Sequence, residues 1–212
     1  MSGTISGKAK LAGVMGWPVS HSRSPRLHNY WLRRYGIDGA YVPLAVPPEK
    51  AEQAIRALPA LGFRGANVTL PHKEVAFACM DRLDAAARRI GAVNTIIVGA
   101  DGTLEGRNTD AFGFLENLRQ GAPGWQAQTG PVVVLGAGGA SRAVIVALLD
   151  AGVPRVRLLN RTPARAEQVA QEIGGAIEVL GWESRGAALR EAGLLVNTTT
   201  QGMAGQPPLD LA

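Results

Sequence analysis

Short apolar blocks alternate with longer amphipathic stretches along this chain, and the alternation predicts strands and helices in turn. Residues 11–16 read as a first strand, and a polar loop over 17–25 follows. A helix then carries Leu27, Tyr30 and Trp31 at helical spacing as far as Gly36. Ser24 ahead of Pro25 predicts an N-cap followed by proline at the first helical position. Residues 40–46 predict a strand, 48–61 a helix closed by Gly62, and 63–70 another strand. In that last strand Asn67 and Thr69 share one face while Ala66 and Val68 share the other. A helix over 82–90 and a strand reaching residue 98 follow. Asp101-Gly102 then marks a hairpin turn with a return arm over 103–108. A helix starts at Asp110 and runs to about Gln120.

Beyond a Gly-, Pro- and Gln-rich stretch at 121–130, which reads as a linker, the pattern changes. Residues 132–135 form a continuous, β-branched run closed by glycine, the signature of a buried strand. Gly136-Ala137-Gly138-Gly139-Ala140-Ser141 comes next, and the apolar run 143–149 is long enough for a helix. A glycine turn between strand and helix lets backbone N–H groups approach a pyrophosphate at the positive end of the helix. Gly136 and Gly138 fit the dinucleotide fingerprint, with Ser141 where Gly or Ala is usual at its third position. A plain structural turn is the other reading, and the flanking strand and helix favour nucleotide. The next strand, 155–159, ends at Asn160-Arg161-Thr162, about twenty residues on, where an NAD-binding unit places a carboxylate. Here Arg161 and Thr162 stand instead, with Arg165 one turn further. Two guanidinium groups and a hydroxyl suit a 2′-phosphate, so the expected cofactor is NADP; a solvated arginine pair is the alternative. A helix over 164–173 and strands at 176–180 and 193–196 follow, and the last strand runs into a polar end at 197–203 near the switch point of the sheet.

The expected class is α/β with two domains. Residues 1–110 form a substrate-binding and catalytic domain with a mainly parallel sheet, and 111–130 a connecting helix and linker. Residues 131–212 form a Rossmann-type NADP-binding domain. The 212 residues, 46% hydrophobic and 18% charged, are enough for two modest cores. A net charge of +5 would permit nucleic-acid binding, but basic and acidic residues are interspersed and aromatics make up only 5%. An anionic cofactor and substrate account for the excess, and no nucleic-acid partner is expected. The single Cys79 excludes an internal disulfide and a multi-cysteine metal site, which fits a reducing cytoplasm. No apolar run has membrane-spanning length, and residues 1–9 are small and polar, without the apolar core of a signal peptide and expected to fray.

Candidate chemistry gathers at strand ends and helix starts. Ser22 and Ser24 beside exposed N–H groups make a carboxylate cradle, or merely a cap. Asn67, Thr69 and Lys73 converge where a strand ends, although Lys73 also reads as a solvated side chain at a helix start. Asp110 by itself is a cap or dipole partner. Together these segments closely resemble the shikimate dehydrogenase family. The matching stretches are His21-Ser22-Arg23-Ser24-Pro25 with His28-Asn29, Asn67-Val68-Thr69-Leu70-Pro71-His72-Lys73, Gly91-Ala92-Val93-Asn94-Thr95 and Asn108-Thr109-Asp110. They continue through the glycine turn, Asn160-Arg161-Thr162, Asn197-Thr198-Thr199 and Gly202-Met203.

The resemblance implies reversible hydride transfer between C4 of the NADP nicotinamide and C3 of the shikimate ring. It gives Ser22 and Ser24 the substrate carboxylate, and Asn67, Thr69, Asn94 and Asp110 the ring hydroxyls, with Lys73 and Asp110 as catalytic pair. Gly136, Ala137, Gly138, Gly139, Ala140, Asn160, Arg161, Thr162, Arg165, Thr198 and Met203 fall to the cofactor. His72 neighbours Lys73, but adjacent side chains diverge and the two are not expected to face one ligand. Members of this family exist as monomers and dimers, and they continue beyond the point matching Ala212. The expectation is therefore a chain lacking the family's C-terminal segment, with an uncovered edge on its cofactor sheet. A binding-only form that holds shikimate or NADP without turnover is one alternative, and an NAD-dependent quinate/shikimate dehydrogenase is another.

Overall fold

Strand β1 (Lys10–Gly16) is the first of six strands in a mixed sheet ordered β2-β1-β3-β5-β6-β4. The computed structural model to which it belongs describes residues 5–203 and 205–211. Residues 1–4 of the segment expected to fray lie outside the described residues, whereas Ser6 is held by its N–H and hydroxyl on the Asp38 carboxylate. The chain divides into two compact units. One runs to Arg88 and resumes at Ala92–Thr109; the other takes Arg89–Gly91 and the chain from Asp110 onward.

In the first unit β1 leads to α1 (Ser24–Arg34), β2 (Gly39–Ala45), α2 (Ala51–Ala57), β3 (Phe63–Val68) and α3 (Lys73–Cys79). β4 (Arg82–Leu83), α4 (Ala85–Ile90), β5 (Thr95–Val98) and β6 (Leu104–Arg107) follow. β1 runs parallel to both β2 and β3, β5 is antiparallel to β3 and β6, and β4 is parallel to β6. Met15, Ile55, Leu58, Val68, Ala76 and Ile96 bury their side chains together between this sheet and α2 and α3. As the alternation in β3 requires, Ala66 and Val68 face that core while Asn67 is only half-buried.

Three local expectations change. The helix expected over 48–61 is a 3₁₀ turn at Pro48–Lys50 followed by α2, which stops at Ala57 because Pro59 has no N–H with which to continue the ladder. Arg82 and Leu83, expected in a helix, pair with Glu105 and Gly106 of β6. α4 begins after them because the Asp84 carboxylate accepts the Ala87 N–H at 2.6 Å and caps it. Ser24 is the first residue of α1 rather than its cap; Arg23 holds that position and no side-chain bond closes it.

The second unit comprises α5 (Asp110–Gly121), β7 (Val132–Leu135), α6 (Gly139–Asp150), β8 (Val156–Leu159), α7 (Pro163–Ile173), β9 (Ile177–Leu180), α8 (Arg185–Ala188) and β10 (Leu194–Asn197). Its four strands are all parallel, in the order β10-β7-β8-β9. β7 lies centrally, every residue at 1% exposure or less, which is why its sequence is continuously apolar. α6 is apolar on nearly every face for the same reason. α8 falls where the pattern predicts no element. β10 is an edge strand, yet Leu194 and Leu195 are half-buried, and Leu209 and Leu211 pack with Leu195 against the cluster of Val133, Leu135 and Leu159. Among the described residues no helix is long and apolar enough to cross a membrane, and no group of side chains could hold a metal ion.

Candidate active site

Four of the residues predicted for the substrate, Ser22, Ser24, Asn67 and Asn94, are linked in the first unit by hydrogen bonds that run through Tyr41 and Thr95. Ser22 Oγ accepts the Ser24 N–H at 3.3 Å, and the Ser24 hydroxyl is bonded to the Tyr41 phenol. Tyr41 donates to Asn67 Oδ1 at 2.7 Å. Asn67 Nδ2 donates to Thr95 Oγ1 at 3.2 Å, and Thr95 donates to Asn94 Oδ1 at 2.9 Å. Asn94 Oδ1 also accepts the Thr109 N–H at 3.1 Å, while its Nδ2 donates to Thr109 Oγ1 at 3.0 Å. β3 and β5 bring this about: their antiparallel register sets Asn67 opposite Thr95. Burial pushes the Tyr41 phenol up to about 12, against the opposing pull of its bond with Ser24, so it stays a proton donor at working pH.

Thr69 follows β3, its N–H held by Met15 O at 2.9 Å, and packs so closely on Gly16 that a β-carbon there would stand 2.5 Å from its methyl. Lys73 opens α3, half-buried, with its carbonyl accepting the Val93 N–H at 2.9 Å beside Asn94. His72 is turned away: its ring is 1% exposed, with Nε2 2.8 Å from Val46 O. Of the two neighbours, His72 is thus held inside the unit while Lys73 is half-buried. Asp110 is the first residue of α5 and belongs to the second unit.

The second unit carries the nucleotide turn. Gly136 has φ +104°, and a β-carbon there would come within 2.7 Å of Thr198 Oγ1. Gly138, which caps α6, faces open space with nothing within 4 Å of where a β-carbon would be. Ala137 and Gly139 are buried and Ala140 half-buried in the same turn. Ser141, the departure from the fingerprint, is fully buried and satisfied, its hydroxyl donating to Gly138 O at 2.6 Å. Thr198 crosses the turn, its hydroxyl donating to Leu135 O at 2.6 Å. At the end of β8, Asn160 Nδ2 donates to Thr162 O at 2.9 Å, which shapes the bend that leaves Arg161, Thr162 and Arg165 exposed. Met203 is 46% exposed beyond β10.

These residues fit a dinucleotide phosphate. The first turn of α6 holds no acidic side chain, Gly138 leaves room for close approach, and Arg161 supplies exposed charge beside Thr162. Sequence reasoning missed Tyr41, Thr95 and Thr109 as members of the polar chain. The usable signal for Tyr41 was general: a phenol in a buried strand needs a hydrogen-bond partner.

A parallel sheet with this glycine turn, joined to a unit presenting a polar strand-end cluster and a lysine, defines a nicotinamide-nucleotide-dependent dehydrogenase. The family model for the shikimate dehydrogenase substrate binding domain matches residues 14–96, and that for shikimate / quinate 5-dehydrogenase matches 120–203. The chain belongs to the shikimate dehydrogenase family. It is 63% identical over 207 residues to shikimate dehydrogenase (NADP(+)) of Paramagnetospirillum magneticum, covering 98% of this chain and 75% of that protein. The shikimate dehydrogenase structure from Aquifex aeolicus superposes with a TM-score of 0.87 at 37% identity, covering 97% of this chain and 74% of the other. The Thermus thermophilus shikimate 5-dehydrogenase structure, in complex with NADP(H) and shikimate, gives 0.77 at 44% identity, covering 92% and 70%.

Proposed function

We propose that this chain catalyses the reversible NADP-dependent reduction of 3-dehydroshikimate to shikimate, a step toward chorismate and the aromatic amino acids. Membership of the family at this level of identity carries the reading. The unit ending at Thr109 holds the substrate and the unit from Asp110 holds NADP. Ser22 and Ser24 give their hydroxyls to the substrate carboxylate, and Asn67, Thr69, Asn94 and Asp110 bond the ring hydroxyls. NADP, when bound, supplies the hydride acceptor in the oxidative direction. As the C3–H bond breaks and its electron pair leaves, Lys73 Nζ takes the proton of the C3 hydroxyl and Asp110 is its partner. In reduction the same Nζ returns that proton to the oxygen as negative charge builds there. Arg161, Thr162 and Arg165 receive the 2′-phosphate, Asn160 shapes that bend, and the turn from Gly136 to Ala140 receives the pyrophosphate, with Thr198 and Met203 beyond it. The reading places the reaction in the cytoplasm, on a monomer or homodimer, with no nucleic-acid partner.

The test is the initial rate of NADP reduction by shikimate on this chain, with NAD and quinate as controls. Turnover confined to shikimate and NADP supports the reading. Faster turnover with NAD and quinate replaces it, and shikimate binding without turnover leaves a binding protein. Cofactor choice has its own check. Arg161→Ala should weaken NADP about 10- to 100-fold by calorimetry while NAD changes little, because one charge-assisted bond to the 2′-phosphate is lost. Equal losses for both nucleotides would remove Arg161 from the phosphate.

A further inference from the structure

Tyr41 is engaged on every side. It lies on β2, the edge strand of the first sheet, and is 6% exposed. Asn29 of α1 clamps its backbone: the Tyr41 N–H donates to Asn29 Oδ1 at 3.0 Å, and Asn29 Nδ2 donates to Tyr41 O at 2.7 Å. The same Nδ2 donates to Pro25 O at 2.7 Å, which ties the clamp to the first turn of the helix carrying Ser24. The His28 ring meets the Tyr41 ring edge-on, centroids 4.1 Å apart and planes at 76°. Ring and backbone are thus fixed, and the phenolic oxygen is delivered to one point between Ser24 and Asn67.

A carboxamide can sit in two orientations of nearly equal shape, differing in which end donates. A phenol has one proton. The Tyr41 phenol gives that proton to Asn67 at 2.7 Å, so the amide turns Oδ1 toward Tyr41. Nδ2 is then directed to Thr95 Oγ1 at 3.2 Å, and its second hydrogen reaches Asn94 O only at the 3.5 Å limit. That weakly engaged hydrogen is the one a ring hydroxyl can take.

We propose that Tyr41 is a positioning residue for the substrate, fixing the Asn67 carboxamide so that its Nδ2 donates to a ring hydroxyl. The role rests on the proposed function and extends it: Asn29 and His28, which have no part in the chemistry, hold the tyrosine that orients a substrate contact. Tyr41→Phe keeps the ring against His28 and the backbone clamp, and removes only the oxygen.

The experiment is calorimetric titration of shikimate into the parent chain, Tyr41→Phe, Asn67→Ala and the double variant, with melting temperatures recorded for each. Tyr41→Phe should weaken shikimate about tenfold, the equivalent of one hydrogen bond, with NADP affinity unchanged. In the Asn67→Ala background the same substitution should add no further loss, since the amide it orients is gone. Unchanged affinity in the single variant overturns the role. So does a tenfold loss repeated on top of Asn67→Ala, which would mark a general structural effect. A parent chain that binds no shikimate removes the proposed function and the role of Tyr41 with it.

Discussion

Lys73→Ala is expected to lower the rate of shikimate oxidation roughly a thousandfold, while shikimate affinity changes by no more than a few-fold. The asymmetry follows from where the charge develops. In the proposed reading the ground-state substrate is held by Ser22, Ser24, Asn67, Thr69, Asn94 and Asp110, all of which the substitution leaves in place. In this direction the C3 hydroxyl must give up its proton as the hydride leaves, and Lys73 Nζ in its neutral form is the base that accepts it. Removing it takes away an interaction made in the transition state, which lowers kcat and kcat/KM together. His72 offers no substitute, because its ring is buried with Nε2 on Val46 O. Single-turnover rates with bound NADP and calorimetric shikimate affinity separate the two effects. A variant that keeps a tenth of the parent rate would take Lys73 out of proton transfer, and one that loses binding and rate in equal measure would make it a substrate anchor.

What the sequence disclosed and what it concealed divide along the reach of the interactions. The β7–turn–α6 unit is legible because its cause is local: four buried residues, a glycine at positive φ and a helix start lie within twelve positions of one another. The two faces of β3 follow from strand periodicity alone, and Ala66, Val68 and Asn67 take the sides it assigns them. α2 is overextended in the reading because the apolar spacing continues past Pro59, where the backbone cannot. β4 is invisible for the opposite reason. Two residues have no period, and only pairing with β6, more than twenty positions away, makes Arg82 and Leu83 a strand. Ser24 illustrates a subtler limit. Serine before proline at a helix start has the composition of a cap, and nothing local distinguishes that from a serine one position inside the helix, with Arg23 at the cap. The polar chain joins residues 26 and 28 positions apart, so local pattern brings out Ser22, Ser24 and Asn67, resemblance adds Asn94, and the tyrosine linking them has no local signal.

Gly65→Ala is the substitution expected to cost the fold most, about 4 kcal/mol or more, with melting lowered by roughly 10 °C. Gly65 sits at the one irregularity in β3: Leu11 pairs with Phe63 and Ala12 with Gly65, so Arg64 is squeezed out of register. On its other side Gly65 faces Ile97 of β5, and a β-carbon would stand 2.2 Å from the Ile96 carbonyl oxygen and 3.2 Å from its carbon. These are backbone atoms of a hydrogen-bonded strand and cannot rotate aside as a side chain could. One methyl group therefore has to part β3 from β5, and the same movement separates Asn67 from Thr95, two residues along the ladder. Shikimate binding should be lost with the stability. Gly113→Ala is the control: it lies within α5 with nothing within 4 Å of the new methyl, and should raise stability by about 0.5–1 kcal/mol through helix propensity alone. If Gly65→Ala melts with the parent and still binds shikimate, the sheet has enough give to admit the methyl, and the close approach of β3 and β5 is not what requires glycine at this position.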